Sequence, residues 1–144
     1  MERKKRNQQG FTLIELLIVM VILGLLAALV GPSMFKKVGS SKTKAAQTQI
    51  SLFGTALDTY RLDVGKYPTT DQGLQALREK PDDNSKWDGP YLRKEIPVDP
   101  WGNPYEYSSP GEHGEYDLIS LGADGSVGGE GEDADVVSWQ NIDS

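Results

Sequence analysis

One carboxylate, Glu15, stands in an apolar run that is otherwise free of charge from residue 11 to residue 30. Twenty residues in helical form reach about 30 Å, the thickness of the hydrocarbon core of a bilayer, so the run reads as a membrane-crossing helix. A charge at that depth costs about 2.5–3.5 kcal/mol on insertion scales. Glu15 therefore needs a partner, and the helix that carries it is expected to meet another charged group rather than lipid alone.

Two simpler readings account for less. The basic start, Arg3, Lys4, Lys5 and Arg6, followed by an apolar core is the pattern of a secretory signal peptide. Such peptides end in a small-residue cleavage site; Ala27-Ala28 is a poor one, and Glu15 breaks the core. A plain anchor fits the length but gives no role to Glu15 or to the abrupt polar-to-apolar junction at Gly10/Phe11.

The segment Gly10-Phe11-Thr12-Leu13-Ile14-Glu15 resembles the class III signal of type IV pilins and pseudopilins. That resemblance implies cleavage after Gly10 by a prepilin peptidase on the cytoplasmic side and methylation of the new N-terminal Phe11. Residues 1–10 are then a leader that is removed, 11–31 a transmembrane and filament-core helix, and 32–144 a periplasmic globular domain. Glu15 becomes the fifth residue of the mature chain. It is expected to pair with the Phe11 amine of its own or a neighbouring subunit and so set the axial register of assembly. A buried carboxylate and a buried ammonium attract strongly in a low dielectric, and either one left alone is costly.

Charge fixes the expected orientation. Residues 1–10 carry a net +3 and the remainder −9, within a total of −6. The cationic end should stay cytoplasmic, placing the rest across the membrane. The expected topology is a single pass of the bacterial inner membrane with the C-terminal domain in the periplasm. Disulfides would be permitted there, yet the chain has no cysteine. From residue 95 to the end there are twelve acidic residues and no lysine or arginine, which excludes nucleic-acid binding by this half.

After the apolar run, Gly31-Pro32 is expected to bend or melt the helix at the membrane exit, with Lys36 and Lys37 near the interface. Between residues 42 and 62, Ala46, Ile50, Phe53, Ala56, Leu57, Tyr60 and Leu62 recur at helical spacing as a stripe for a sheet to cover. Lys44, Gln47, Ser51, Thr55, Asp58 and Thr59 form the opposite face. Thr70 is placed to cap a short helix through Leu74, Ala76 and Leu77 that ends before Pro81. Residues 82–104 read as ordered loop, and 105–108, 115–121 and 136–140 as short strands. The fold class is α+β: a long N-terminal helix, apolar in its transmembrane half and amphipathic after it, packed on a small three- to four-stranded antiparallel sheet. The pilin resemblance implies the type IV pilin-like fold.

Three further segments narrow the resemblance. Tyr67-Pro68-Thr69-Thr70-Asp71-Gln72-Gly73-Leu74, Asp99-Pro100-Trp101-Gly102-Asn103-Pro104-Tyr105 and Ser120-Leu121-Gly122-Ala123-Asp124-Gly125 are similar to those of the major pseudopilins of the type II secretion system. The implied role is structural, not enzymatic: a subunit polymerised from the inner membrane into a pseudopilus that drives folded proteins across the outer membrane. Implied partners are copies of itself, minor pseudopilins, the inner-membrane assembly platform and the prepilin peptidase. A type IV pilin is the alternative, disfavoured because such pilins usually close a C-terminal loop with a disulfide. A membrane-anchored periplasmic enzyme using paired carboxylates is a remote one. It would need its acids in a pocket with perturbed pKa values, whereas they gather in a glycine-rich loop beside no cysteine and a single histidine.

The loop after residue 120 carries the remaining chemistry. Calcium takes six to eight oxygens from carboxylates and carbonyls, and glycine-rich turns allow carbonyls to point inward. Leu121-Gly122-Ala123-Asp124-Gly125-Ser126, followed by Asp133-Ala134-Asp135, supplies these groups from two strand ends. On chemistry alone the segment fits either a calcium site or a solvated acidic loop with Asp124-Gly125 as a turn. The family resemblance implies one structural calcium held by the Leu121 carbonyl and the carboxylates of Asp124 and Asp135, with Ser126 and Asp133 as further ligands. Elsewhere, Trp101 and Trp139 read as core or loop anchors, Asp99-Pro100-Trp101-Gly102 as a tight turn and His113 as a surface turn residue. Arg93 and Lys94 could pair with an acid such as Asp58 on a neighbouring subunit, and Trp87 has no assigned role.

Overall fold

The computed structural model describes residues 10–82 and 84–140, so the basic cluster from Arg3 to Arg6 lies outside the described residues. One long helix, α1 (Leu13–Val64), is followed by a 3-10 turn (Leu74–Leu77) and strands β1 (Glu106–Ser108), β2 (Asp117–Ser120) and β3 (Val136–Val137), with a second 3-10 turn (Gly131–Asp133) before β3. The chain divides into two compact units, Met1–Lys37 and Val38–Ser144.

In the first unit the expected melting at Gly31-Pro32 does not occur. Helical structure continues through Pro32, which lies inside α1. Proline forfeits one backbone donor, at a cost of about 3 kcal/mol in a helix interior. Helix propagation on both sides is cooperative and absorbs a single lost bond. The next residue, Ser33, donates its hydroxyl to the Val30 carbonyl at 2.9 Å.

In the second unit, α1 presents Ala46, Ile50, Phe53, Leu57, Tyr60 and Val64 to the core in alternating steps of four and three residues, with Ala56 beside them. Leu62, expected on this stripe, is 84% exposed, and Val64 takes its place. Two residues beyond Tyr60 is the wrong side of a 3.6-residue helix, and four residues is the right one. Gln47, expected in solvent, is half-buried, and its Nε2 is buried without a partner. Leu74, Ala76 and Leu77 from the 3-10 turn join the same core, as do Tyr105, Leu118 and Val136 from the sheet side. Phe53 meets Tyr105 edge-on at 5.2 Å between ring centroids.

The sheet is antiparallel in the order β1-β2-β3, with Tyr107 opposite Leu118 and Ser120 opposite Val136. All three strands fall where alternation and turn residues place them, but each is shorter. The short helix is also present, as a 3-10 turn without a side-chain cap. Thr70 does not cap it. Its hydroxyl accepts the Ser109 N–H at 2.9 Å and donates to the Ser109 carbonyl, tying this segment to the β1–β2 connection. One residue earlier a reciprocal pair closes the turn that leads into the 3-10 turn: Thr69 Oγ1 accepts the Gln72 N–H, and Gln72 Oε1 accepts the Thr69 N–H. Trp87, unassigned from sequence, donates its indole N–H to the Ala76 carbonyl at 2.7 Å and so pins the long loop to the 3-10 turn.

Leu57 is fully buried, so Leu57→Ala should cost about 2–5 kcal/mol of stability. Leu62→Ala should stay within about 0.5 kcal/mol of the parent. Urea denaturation of both variants in detergent, followed by tryptophan fluorescence, measures the difference.

Candidate assembly and cation sites

The start of α1 is set by a side-chain cap. Thr12 Oγ1 accepts the backbone N–H of Glu15 at 3.2 Å, and the Leu16 N–H bonds the Thr12 carbonyl. Glu15 thus occupies the third position of the first turn, where the helix dipole favours an anion. Among the described residues it forms no ion pair. Phe11, just before the cap, is 92% exposed, and the large apolar side chains from Leu13 to Val30 are exposed with it. The helix contains a window long and apolar enough to cross a membrane, none of it buried. Apolar surface on this scale requires lipid or other helices as its solvent.

At the other end of the chain, glycines draw two backbone segments together. Gly122 has a φ of 75°, and a Cβ there would lie 2.7 Å from the Glu132 carbonyl and 2.8 Å from that of Ala134. The Ala123 N–H donates to the Glu132 carbonyl at 2.9 Å. Residues 121–124 and 132–135 are therefore neighbours through their main chains. Asp124 Oδ1 accepts the Ser126 N–H at 3.1 Å, closing a local turn, and Ser126 is exposed. Asp135 Oδ2 accepts the Gly128 N–H at 3.0 Å, whereas its Oδ1 is buried with no donor. Leu121 is half-buried, and Asp133 is exposed with its carbonyl against Gly129. Among the described residues no three acids or histidines gather into a ready-made metal cluster. The donors available are instead two carboxylates and the loop's carbonyls, all oxygen. That set fits calcium, and the orphaned Asp135 Oδ1 is the kind of buried acceptor a hard cation would satisfy.

The hairpin between β1 and β2 has its own clasp. Asp117, 5% exposed, accepts the Glu112 and His113 N–H groups and meets His113 Nδ1 at 3.0 Å. The His113 ring stacks on Trp139 at 3.7 Å. His113 is thus a clasp residue rather than a free turn residue. Trp139 is a loop anchor as expected, while Trp101 is half-buried with its indole nitrogen unpartnered.

These sites belong to a membrane-anchored, pilin-like subunit: an N-terminal apolar helix carrying a first-turn acid, continued into a helix packed on a small antiparallel sheet. Residues 5–31 match the prokaryotic N-terminal methylation motif, and residues 33–139 match the family of type II secretion system protein G. The chain is 49% identical over 141 residues to the type II secretion system core protein G of Pseudomonas aeruginosa, covering 96% of this chain and 99% of that one. With its counterpart in Vibrio cholerae the identity is 47% over 140 residues, covering 95% of each. The crystal structure of the major pseudopilin from the type 2 secretion system of enterohaemorrhagic Escherichia coli superposes with a TM-score of 0.62 at 34% identity, covering 75% of this chain and 95% of that one. The chain belongs to the type II secretion system protein G family.

Burial raises the Asp117 carboxyl, but the hydrogen bonds from the His113 ring and from the Glu112 and His113 N–H groups outweigh it and hold the group below its ordinary value. A depressed carboxylate contributes stability above its unfolded pKa of about 3.9 and loses it as pH falls through the lower folded value. Acid unfolding of the parent should therefore steepen below about pH 4, and Asp117→Asn should flatten that limb in a thermal-melt series against pH.

Proposed function

We infer that this chain is the major structural subunit of a type II secretion pseudopilus, polymerised from the inner membrane to drive the export of folded proteins. The observation that carries the reading is the bare apolar helix with Glu15 in its first turn, in a chain of this family. A helix with that surface packs against lipid before assembly and against other copies after it. Glu15 would pair with the methylated Phe11 amine of its own or an adjacent subunit, once the prepilin peptidase has cut after Gly10. The N-terminus is cytoplasmic and residues 32–144 are periplasmic in this reading, supported by the basic leader and the acidic remainder. Minor pseudopilins and the inner-membrane assembly platform complete the set of partners, and the chemistry is assembly without turnover.

Intact mass and N-terminal sequencing of the membrane-purified chain test the pathway: it should begin at methylated Phe11. A chain still beginning at Met1 in cells with active prepilin peptidase would overturn it. Glu15→Leu should insert into the membrane and yield no filaments by fractionation and electron microscopy. Normal filaments would sink the charge-register role.

The loop of residues 121–135 is read as the seat of one structural calcium, held by the Leu121 carbonyl and the Asp124 and Asp135 carboxylates, with Ser126 and Asp133 as further candidates. The ion would neutralise clustered acids and close the loop in a chain without disulfides. Asp124→Ala should melt at the same temperature in calcium and in EDTA, whereas the parent should melt higher in calcium. A variant that keeps the full calcium response would remove Asp124 from the site.

A further inference from the structure

The turn formed by Asp99, Pro100, Trp101, Gly102 and Asn103 holds a buried carboxyl group that none of these roles uses. Asp99 is 3% exposed. Its Oδ1 accepts the N–H groups of Trp101 at 3.1 Å and Asn103 at 2.8 Å, and its Oδ2 accepts the hydroxyl of the fully buried Ser120 at 2.7 Å. The Asp99 N–H returns to the Asn103 carbonyl at 2.8 Å, so the turn is closed on itself. Gly122 is held at both ends of the residue, at its carbonyl by this turn and at its N–H by Ser120 of β2. Asn103 Nδ2 donates to the Gly122 carbonyl at 3.3 Å, and the Gly122 N–H reaches Ser120 Oγ at 3.4 Å. The same carboxamide lies 3.6 Å from where a Cβ on Gly125 would stand. The carbonyls of Glu132 and Ala134 also fence Gly122 in.

We propose that Asn103, backed by the Asp99–Ser120 pair, is a positioning residue for the cation loop. Gly122 stands directly after Leu121 and two residues before Asp124, so fixing its peptide fixes the directions in which both candidate ligands are offered. Asn103 also engages the Gly122 carbonyl itself and keeps it from competing for the ion. A loop set in advance has less conformational entropy to lose when a cation binds. The inference rests on the calcium reading above.

The test is calorimetric titration of calcium chloride into the full chain in detergent, paired with thermal melts in calcium and in EDTA. Relative to the parent, Asn103→Ala should bind calcium at least about tenfold more weakly, the effect typical of losing a group that orients a metal ligand. Its deficit in melting temperature should be larger in calcium than in EDTA. Equal deficits in the two conditions, with unchanged affinity, would make Asn103 a purely structural residue and overturn the proposal. Asn103→Ser, which keeps a polar group too short to reach Gly122, gives the same comparison if the alanine variant does not fold. A parent with no calcium response at all would instead overturn the calcium reading itself.

Discussion

The unit from Val38 to Ser144 depends on the stripe from Ala46 to Val64 of α1. Strands of three, four and two residues have too few ladder bonds to stand alone, and a sheet this small needs a helix against it. Leu57 and Leu118, both with no exposed surface, belong to one core cluster, which the 3-10 turn joins through the equally buried Leu77. With no disulfide available, apolar packing is supplemented by side-chain clasps such as Thr70 on Ser109 and Trp87 on Ala76.

The same helix has a different relation to solvent in its first part. There its apolar side chains are left bare, and its polar content is concentrated at the cap, where Thr12 receives the Glu15 N–H. A surface that is apolar on all sides gives a helix no preferred partner direction, whereas one carboxylate does: it costs least where an opposite charge awaits it. In the proposed filament, anchor and assembly surface would be one segment, with Glu15 as the group that separates the two uses.

Chain pattern made much of this legible. The uncharged run with its lone acid, the alternating stretches that became strands and the four-and-three spacing of the stripe each follow from local geometry. Legibility failed where a choice depended on what lay opposite. Leu62 is as apolar as Val64, and only the rotation of α1 against the core tells them apart. Thr69 and Thr70 are adjacent and chemically identical; one closes a local turn with Gln72, and the other is taken by Ser109, thirty-nine residues away. His113 showed no partner because Asp117 reaches it across the turn between β1 and β2 and Trp139 from beyond β3. At Pro32 the expected melting is absent, since a single lost donor does not break a helix propagated from both sides.

The acidic loop divides along the same line. Its oxygen-rich, glycine-rich composition announced a cation site or a solvated turn, and residue types alone could go no further. Which groups lie together was decided by the tertiary structure: the φ of 75° at Gly122 brings the Glu132 and Ala134 carbonyls against residue 122, and Asn103 arrives from a turn nineteen residues earlier. The sequence by itself determined the anchor, the acid within it, the strands and the core stripe, because each is a periodic or local property of the chain. The Asp99–Ser120 and Asn103–Gly122 bonds were left to the folded state, because a hydrogen bond between distant segments depends on distances that no local pattern encodes.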